Sequence, residues 1–408
     1  MASTTHYVDT TLGTDDGDHG LSSGSGAFAT LAYAENFIDG TLYDATETAT
    51  INCSGTTADT TAVTFAGWDA DVSIIVNGNY AATSGVHWST SYYRLEPATA
   101  TAIINAADLG NAVTFNKIQI LTHAQGINWT QGSSNLTVDR CIIHGVSTVD
   151  FSNGIQFDCT SKTCVIKNCV IYGFTQVDDD NCGISSSNNE ASSTVTISNC
   201  TIYDNDTGIK RLAHTVTAKN CAVFNNDDDY NGTMTVTYSA SDDTQAGTGN
   251  VDWASGATDW AANFVDYANF DFHLKSTAPL INAGTDLFGS GVTTDIDGDT
   301  LSVRNDIGAD EYVVPGDYYI YLFKDYNGAP AGGTVTWIGQ SSADCSASTA
   351  YLQIYNETTD TWITIDFDNT TAKHTDFTLT GTFPTSGYTA DDFFTSGNHV
   401  NCRVYQLL

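Results

Sequence analysis

Lysine and arginine are scarce in this chain, 13 against 48 aspartates and glutamates in 408 residues, which leaves a formal net charge of −35. An excess of that size repels a phosphate backbone, so nucleic-acid binding is excluded, and adsorption to an anionic membrane surface is disfavoured for the same reason. No stretch approaches the roughly 18 consecutive apolar residues of a membrane-spanning helix, and a soluble protein is expected. The opening residues, Met1 to Val8, have neither a basic n-region nor an apolar h-region, so no secretory signal is expected. The histidines have no metal-ligand spacing, and neither a Ser-His-Asp order nor a glycine-rich phosphate loop is present. Charged residues are only 15% of the chain while hydrophobic residues are 41%, so Thr, Ser, Asn, Asp and Gly supply the polar remainder. That balance disfavours helices and favours strands joined by tight turns. The length allows two or three domains, or one long repetitive one.

What is present is a repeat. Leu136-Thr-Val-Asp-Arg-Cys141-Ile-Ile-His returns as Cys164-Val-Ile-Lys-Asn-Cys169-Val-Ile-Tyr, then as Val195-Thr-Ile-Ser-Asn-Cys200-Thr-Ile-Tyr, then as Val216-Thr-Ala-Lys-Asn-Cys221-Ala-Val-Phe. A looser copy starts at Val113, and equivalent positions (Ile118, Cys141, Cys169, Cys200, Cys221) are 23, 28, 31 and 21 residues apart. Those steps suit one coil of a β-solenoid, whose single turn cannot bury its apolar face but whose stacked turns share a core. Stacking puts like on like. Cys141, Cys169, Cys200 and Cys221 should form an internal column of reduced thiols, since stacked positions lie slightly beyond disulfide range. Asn168, Asn199 and Asn220 should form a neighbouring column at the turn, where amides can hydrogen-bond up the stack, with Arg140 interrupting it. Gly154, Gly183 and Gly208 read as turn residues that each precede a further short strand.

Residues 41 to 112 have the same texture less regularly, which makes roughly ten coils between 41 and 275 at about 4.8 Å each. Residues 1 to 40 read as an N-terminal cap, a strand, a glycine-rich loop and a short amphipathic helix over the open first coil. The solenoid is then expected over 41 to 313, with 272 to 313 as its closing segment. After Val313-Val-Pro315-Gly316, alternating strands from Tyr318 to Tyr405 predict an antiparallel β-sandwich over 314 to 408, with Cys402 facing inward. Its aromatics Trp337, Tyr355 and Trp362 are candidates for binding sugar where exposed, and for core where not. Asp295-Ile-Asp297-Gly-Asp299 offers alternating carboxylates suited to Ca²⁺, although the loop departs from the EF-hand pattern, with Arg304 in place of the closing Glu.

These residues resemble the right-handed parallel β-helix proteins of the pectate-lyase-like superfold. The resemblance is carried by Tyr7-Val-Asp to Phe28-Ala-Thr-Leu31, by the Asn-Cys-x-Ile-Tyr phrases and by Phe272 to Glu311, so it covers residues 1 to about 313. Through Trp88 to Glu96 it is similar to bacteriophage and environmental β-helix proteins, and the C-terminal stretch resembles terminal domains of such phage proteins. The resemblance implies a fold more than an activity, because this superfold carries lyases, hydrolases, adhesins and structural virion parts. A pectate-type lyase would need acidic calcium ligands beside an arginine or lysine base, and a glycoside hydrolase two carboxylates about 5 to 9.5 Å apart. Asp178, Asp180, Asp204 and Asp206, with Lys210, Arg211 and His214, are the catalytic candidates, and the same residues also read as solvated turns.

The reading that follows is a non-enzymatic virion surface protein, a head decoration, fibre or receptor-contact element with a β-helix stalk. It would be made in the host cytoplasm, requires no cofactor, and has other virion proteins and host surface polysaccharide as partners. A homotrimer is implied by resemblance to phage fibres. The alternatives are a tailspike-like polysaccharide depolymerase and a secreted carbohydrate-binding adhesin.

Overall fold

The computed structural model describes residues 4 to 406 except 39–46, 69–71, 81–87, 99–101, 108–111, 132–133, 147–150, 176–180, 187–192, 254–256, 288–289, 302–304, 313–319, 326–331, 340–343, 347–348, 360, 373–374 and 395–398. The chain forms two compact units, Met1–Tyr312 and Val313–Leu408.

The first unit is a right-handed parallel β-helix. Its three sheets have nine, eight and seven strands in the described residues, and every neighbouring pair in them is parallel. One coil visits sheet 1, sheet 2 and sheet 3 in turn, as in Thr163–Lys167, Val170–Tyr172 and Cys182–Ser186. Thr4–Asp9 pairs in parallel with Thr48–Ser54, so the N-terminal strand is the first rung of sheet 1. The helix Leu31–Ile38 buries Leu31, Ala34 and Ile38 in the core that the coils share.

Period-2 alternation divides each phrase. Ile143, Ile171, Ile202 and Val223 of sheet 2 point into the lumen with Cys141, Cys169, Cys200 and Cys221. All ten cysteines are free and buried, and burial pushes the Cys141, Cys169 and Cys200 thiols well above the usual range. They are packing residues with no tendency to form thiolates.

The asparagine column has a backbone cause. Asn168, Asn199 and Asn220 adopt φ values of 54°, 47° and 51°, the left-handed region that asparagine tolerates better than other side chains, and Lys117 and Arg140 occupy the same bend in earlier coils. Their amides do not hydrogen-bond one another up the stack: Asn168 Nδ2 donates to Asp139 Oδ1 (2.9 Å) and Asn220 Nδ2 to the Thr285 carbonyl (2.8 Å), while Asn199 Oδ1 is buried without a partner. The amide ladder lies one residue earlier in the coil, in the N-terminal rungs, where Asn116 donates to Asn77 (3.1 Å) and Asn77 to Asn52 (3.0 Å). The glycine column also differs from expectation. Gly154, Gly183 and Gly208 lie at the starts of sheet 3 strands or inside them, and a Cβ on Gly183 would stand 2.9 Å from the Gly208 carbonyl oxygen of the next coil. Close stacking of the backbones, with no turn involved, requires glycine there.

The outer faces of the sheets differ. On sheet 1, Thr114, Thr137, Thr196 and Thr217 stand outward and partly exposed. On sheet 2, Tyr172, Tyr203 and Phe224 stand outward in register, and all three are buried. After the short strand Val251–Asp252 the chain leaves the solenoid, and Trp253, Trp260, Phe264 and Phe272 pack on these rings in a second apolar core outside the helix. Residues 257 to 275 are therefore a lateral cover with no coil geometry, which is why counting coils to 275 overshoots. The cover continues to 312, tied by the Gly308 N–H to the Asn220 carbonyl (2.9 Å) and by the Ala309 N–H to Thr201 Oγ1 (3.0 Å).

The second unit has two small antiparallel sheets. One orders Ile320–Asp325, His399–Gln406, Ala350–Asn356 and Thr361–Asp368, and the other pairs Gly333–Gly339 with Phe377–Phe383. Leu352, Ile354, Val400, Cys402 and Val404 of the first share a core with Val335, Trp337, Leu379 and Phe383 of the second.

Candidate functional site

The residues with chemical potential fall in three places. In the solenoid, Asp204 and Asp206 sit in the turn before the strand Thr207–Arg211, while Lys210 and Arg211 end that strand. Five residues of extended chain between Asp206 and Arg211 put them about 16 Å apart. The Arg211 guanidinium is spent on its own loop, with Nε donating to the His214 carbonyl (2.8 Å) and Nη2 to the Ala213 carbonyl (3.3 Å). His214 is wholly buried, its Nδ1 sharing a hydrogen bond with Ser186 Oγ (2.9 Å), and burial lowers its pKa. Asp204 accepts from Asn225 Nδ2 (3.3 Å), and burial raises its pKa. The structure thus does not bring Asp204 and Asp206 together with Lys210, Arg211 and His214 as one acid–base site. The physical reason is that strand geometry places the acidic and basic groups at opposite ends. Asp178 and Asp180 lie outside the described residues.

The second place is in the lateral cover, where the Asp295-Ile-Asp-Gly-Asp loop meets the strand Asp271–Leu274. Asp295 is buried and its carboxylate accepts main-chain N–H bonds from Gly298 (2.8 Å), Asp299 (2.7 Å) and Glu311 (3.0 Å), so it closes the loop. Asp299 is exposed. Asp297 instead turns to His273, whose Nε2 lies 2.9 Å from its Oδ2 and whose Nδ1 lies 2.7 Å from Asp271 Oδ1. Burial opposes the charged imidazole, but the bonds to Asp271 and Asp297 and the charge of Asp310 outweigh it and raise the pKa to about 10. Burial raises Asp310 to about 7, against the pull of His273, and its Oδ2 accepts the Leu274 N–H (2.8 Å). His273, Asp297 and Asp310 bring their ligand-type atoms within 4.8 Å of one another. Of the three carboxylates named from the sequence only Asp297 joins this group, since Asp295 is turned to main-chain N–H groups and Asp299 is exposed. The arrangement locks the cover segment to itself. Histidine 273 was missed in the sequence, although its spacing of one residue from Asp271 on a strand was a visible signal of a shared face.

The third place is on the second unit. Trp337 is buried, edge-on to Phe377 (5.0 Å between centroids), which removes it from the sugar-contact candidates. The reason was visible in its strand, where Thr334 and Thr336 alternate outward and leave Val335 and Trp337 inward. Tyr355 and Trp362 do stand on the partly exposed outer face of the four-stranded sheet, their centroids 5.0 Å apart. Cross-strand register completes that face. Tyr405, Tyr351 and Phe367 form one row and Arg403, Gln353 and Thr364 the next. Tyr351 stacks on Tyr405 (5.7 Å, 28°), and Phe367 is 55% exposed. The Arg403 guanidinium lies 4.4 Å from the Trp362 centroid and 5.1 Å from that of Tyr405. Its Nε donates to Gln353 Oε1 (2.7 Å), and Gln353 Nε2 donates to Thr364 Oγ1 (2.9 Å), so the polar row is held in one orientation between the rings.

Comparison with protein families matches residues 125–250 to the model described as "Right handed beta helix region". That span contains the coils from the strand Ile127–Gln131 to the strand Ala240–Ser241. No curated protein matches the chain.

Proposed function

We propose that this chain is a non-enzymatic surface protein of a bacteriophage particle, a decoration, fibre or receptor-contact element in which the β-helix is a rigid support and the second unit contacts a surface glycan. The observation that carries this reading is the fate of the acid–base candidates. Arg211 and His214 are consumed by loop carbonyls and Ser186, Asp204 is kept half-buried away from them, and His273 is enclosed by carboxylates. General acid–base or nucleophilic chemistry needs such groups to converge on a substrate. The right-handed β-helix fold is compatible with tailspikes and lyases as well, so the depolymerase is the reading that the test must exclude.

The test is incubation of the full chain, with and without Ca²⁺, with a panel of acidic and neutral polysaccharides, following both the absorbance of unsaturated products and new reducing ends. No product is expected in any arm. Unsaturated products would establish a lyase, and reducing ends without absorbance a hydrolase, and either would overturn the proposal.

A further inference from the structure

The outer face of the four-stranded sheet is built in a way that a purely structural module does not need. Apolar rings are placed outward on three adjacent strands, at Tyr351 and Tyr355, at Trp362 and Phe367, and at Tyr405, while the inward positions of the same strands already fill the core with Leu352, Ile354, Cys402 and Val404. With strands about 4.8 Å apart and residues about 3.4 Å apart along them, the rings span roughly 10 Å by 14 Å. Between them runs the hydrogen-bonded row Arg403, Gln353 and Thr364, which fixes amide and hydroxyl groups at the height of the ring faces. Aromatic faces beside oriented amide and hydroxyl groups complement a pyranose, whose axial C–H bonds stack on a ring while its equatorial hydroxyls exchange hydrogen bonds.

Charge decides which glycan. The chain carries −35, which disfavours approach of a polyanion. Among the described residues the cation of this face is Arg403, which lies against Trp362 and Tyr405 and bonds Gln353, so it serves to hold the rings. We infer that this face, formed by Tyr351, Gln353, Tyr355, Trp362, Arg403 and Tyr405, is a binding site for a neutral polysaccharide. The inference deepens the receptor-contact reading proposed above and rests on it, but its readout is binding, which is separate from product formation.

The experiment is affinity electrophoresis of the full chain in gels with neutral polysaccharides (xyloglucan, galactomannan, laminarin) or acidic ones (alginate, polygalacturonate), at low and at 0.5 M salt. Retardation is expected in at least one neutral gel, unchanged by salt. Trp362→Ala should weaken it about tenfold or more, as loss of a central aromatic contact does, while Trp362→Phe retains part of it. Ile338→Ala, at a 71% exposed position on the other sheet, should leave it unchanged. Thermal unfolding of each variant shows that its fold is kept. Retardation only in acidic gels, retardation indifferent to Trp362→Ala, or none in any gel would overturn the inference. So would a self-associated species that Trp362→Ala dissociates, which would make the face a contact between copies. Products in the cleavage assay with Trp362-dependent retardation would overturn the non-enzymatic reading and leave this site standing.

Discussion

Two faces of this molecule use the same residue types to different ends. On sheet 2 of the β-helix, Tyr172, Tyr203 and Phe224 stand outward in register, and the chain returns to bury them under Trp253, Trp260, Phe264 and Phe272. On the four-stranded sheet of the second unit, Tyr351, Tyr355, Trp362 and Tyr405 also stand outward, but they stay partly exposed with an arginine and a glutamine between them. Outward aromatics alone therefore do not mark a binding face. Among the described residues, the second face has an oriented polar row and no covering segment, and these two features are what the proposed binding site rests on.

The comparison is broken most directly by removing one ring from each face. Phe224 is wholly buried and contacts four aromatic rings of the cover, so Phe224→Ala should destabilise the first unit by about 3–5 kcal/mol. Trp362→Ala should change stability by less than about 1 kcal/mol. Urea unfolding of the full chain, followed by far-UV circular dichroism, measures both, and equal losses would abolish the distinction between covered and open faces.

A smaller effect should appear with pH, because the cover is fastened by groups whose folded pKa values are raised. Asp310 titrates near 7 instead of 3.8 and His273 near 10 instead of 6.5. A raised folded value means tighter proton binding in the folded state, so stability is fully present below the unfolded pKa and is lost as pH rises toward the folded one. Asp310 loses its contribution between 3.8 and about 7, and His273 between 6.5 and about 10. The melting temperature should therefore be higher at pH 5 than at pH 9, and His273→Gln should flatten the upper part of that slope. A melting temperature that rises toward pH 9 would contradict the assignment.

The smallest effect concerns the turn between sheets 1 and 2. At φ 47°, Asn199→Ala should cost about 1–2 kcal/mol, and Asn199→Gly much less, by thermal unfolding. Equal costs would show that the asparagine is retained for its side chain and not for its backbone.

The coils were legible in the sequence because each repeats one alternating phrase, and stacking turns a local pattern into a column of like residues. Cys141, Cys169, Cys200 and Cys221 are the plainest case. The lateral cover was not legible as a cover, because no local pattern links Trp253 to Phe272 with strands 30 to 100 residues earlier. One signal was available: Tyr172, Tyr203 and Phe224 sit on the face opposite the lumen, where a solvated sheet would carry polar residues, as sheet 1 does with threonines. Within the described residues, the candidate acid–base group is split for the converse reason. Asp206 and Arg211 are near in sequence, but an extended strand is the conformation that keeps them furthest apart. On the second unit, Trp362 stood in the sequence only as a candidate open between sugar contact and core, and Arg403 and Gln353 join its face only through cross-strand register, which one strand read alone does not contain.

The proposed function is that this molecule holds glycans without cutting them. The most direct measurement incubates the full chain with the neutral polysaccharide that retards it most and follows bound fraction and new reducing ends in the same samples over a day. Sustained Trp362-dependent binding with no new reducing ends is the expected result. Reducing ends that accumulate with time, in proportion to the protein added, would contradict it.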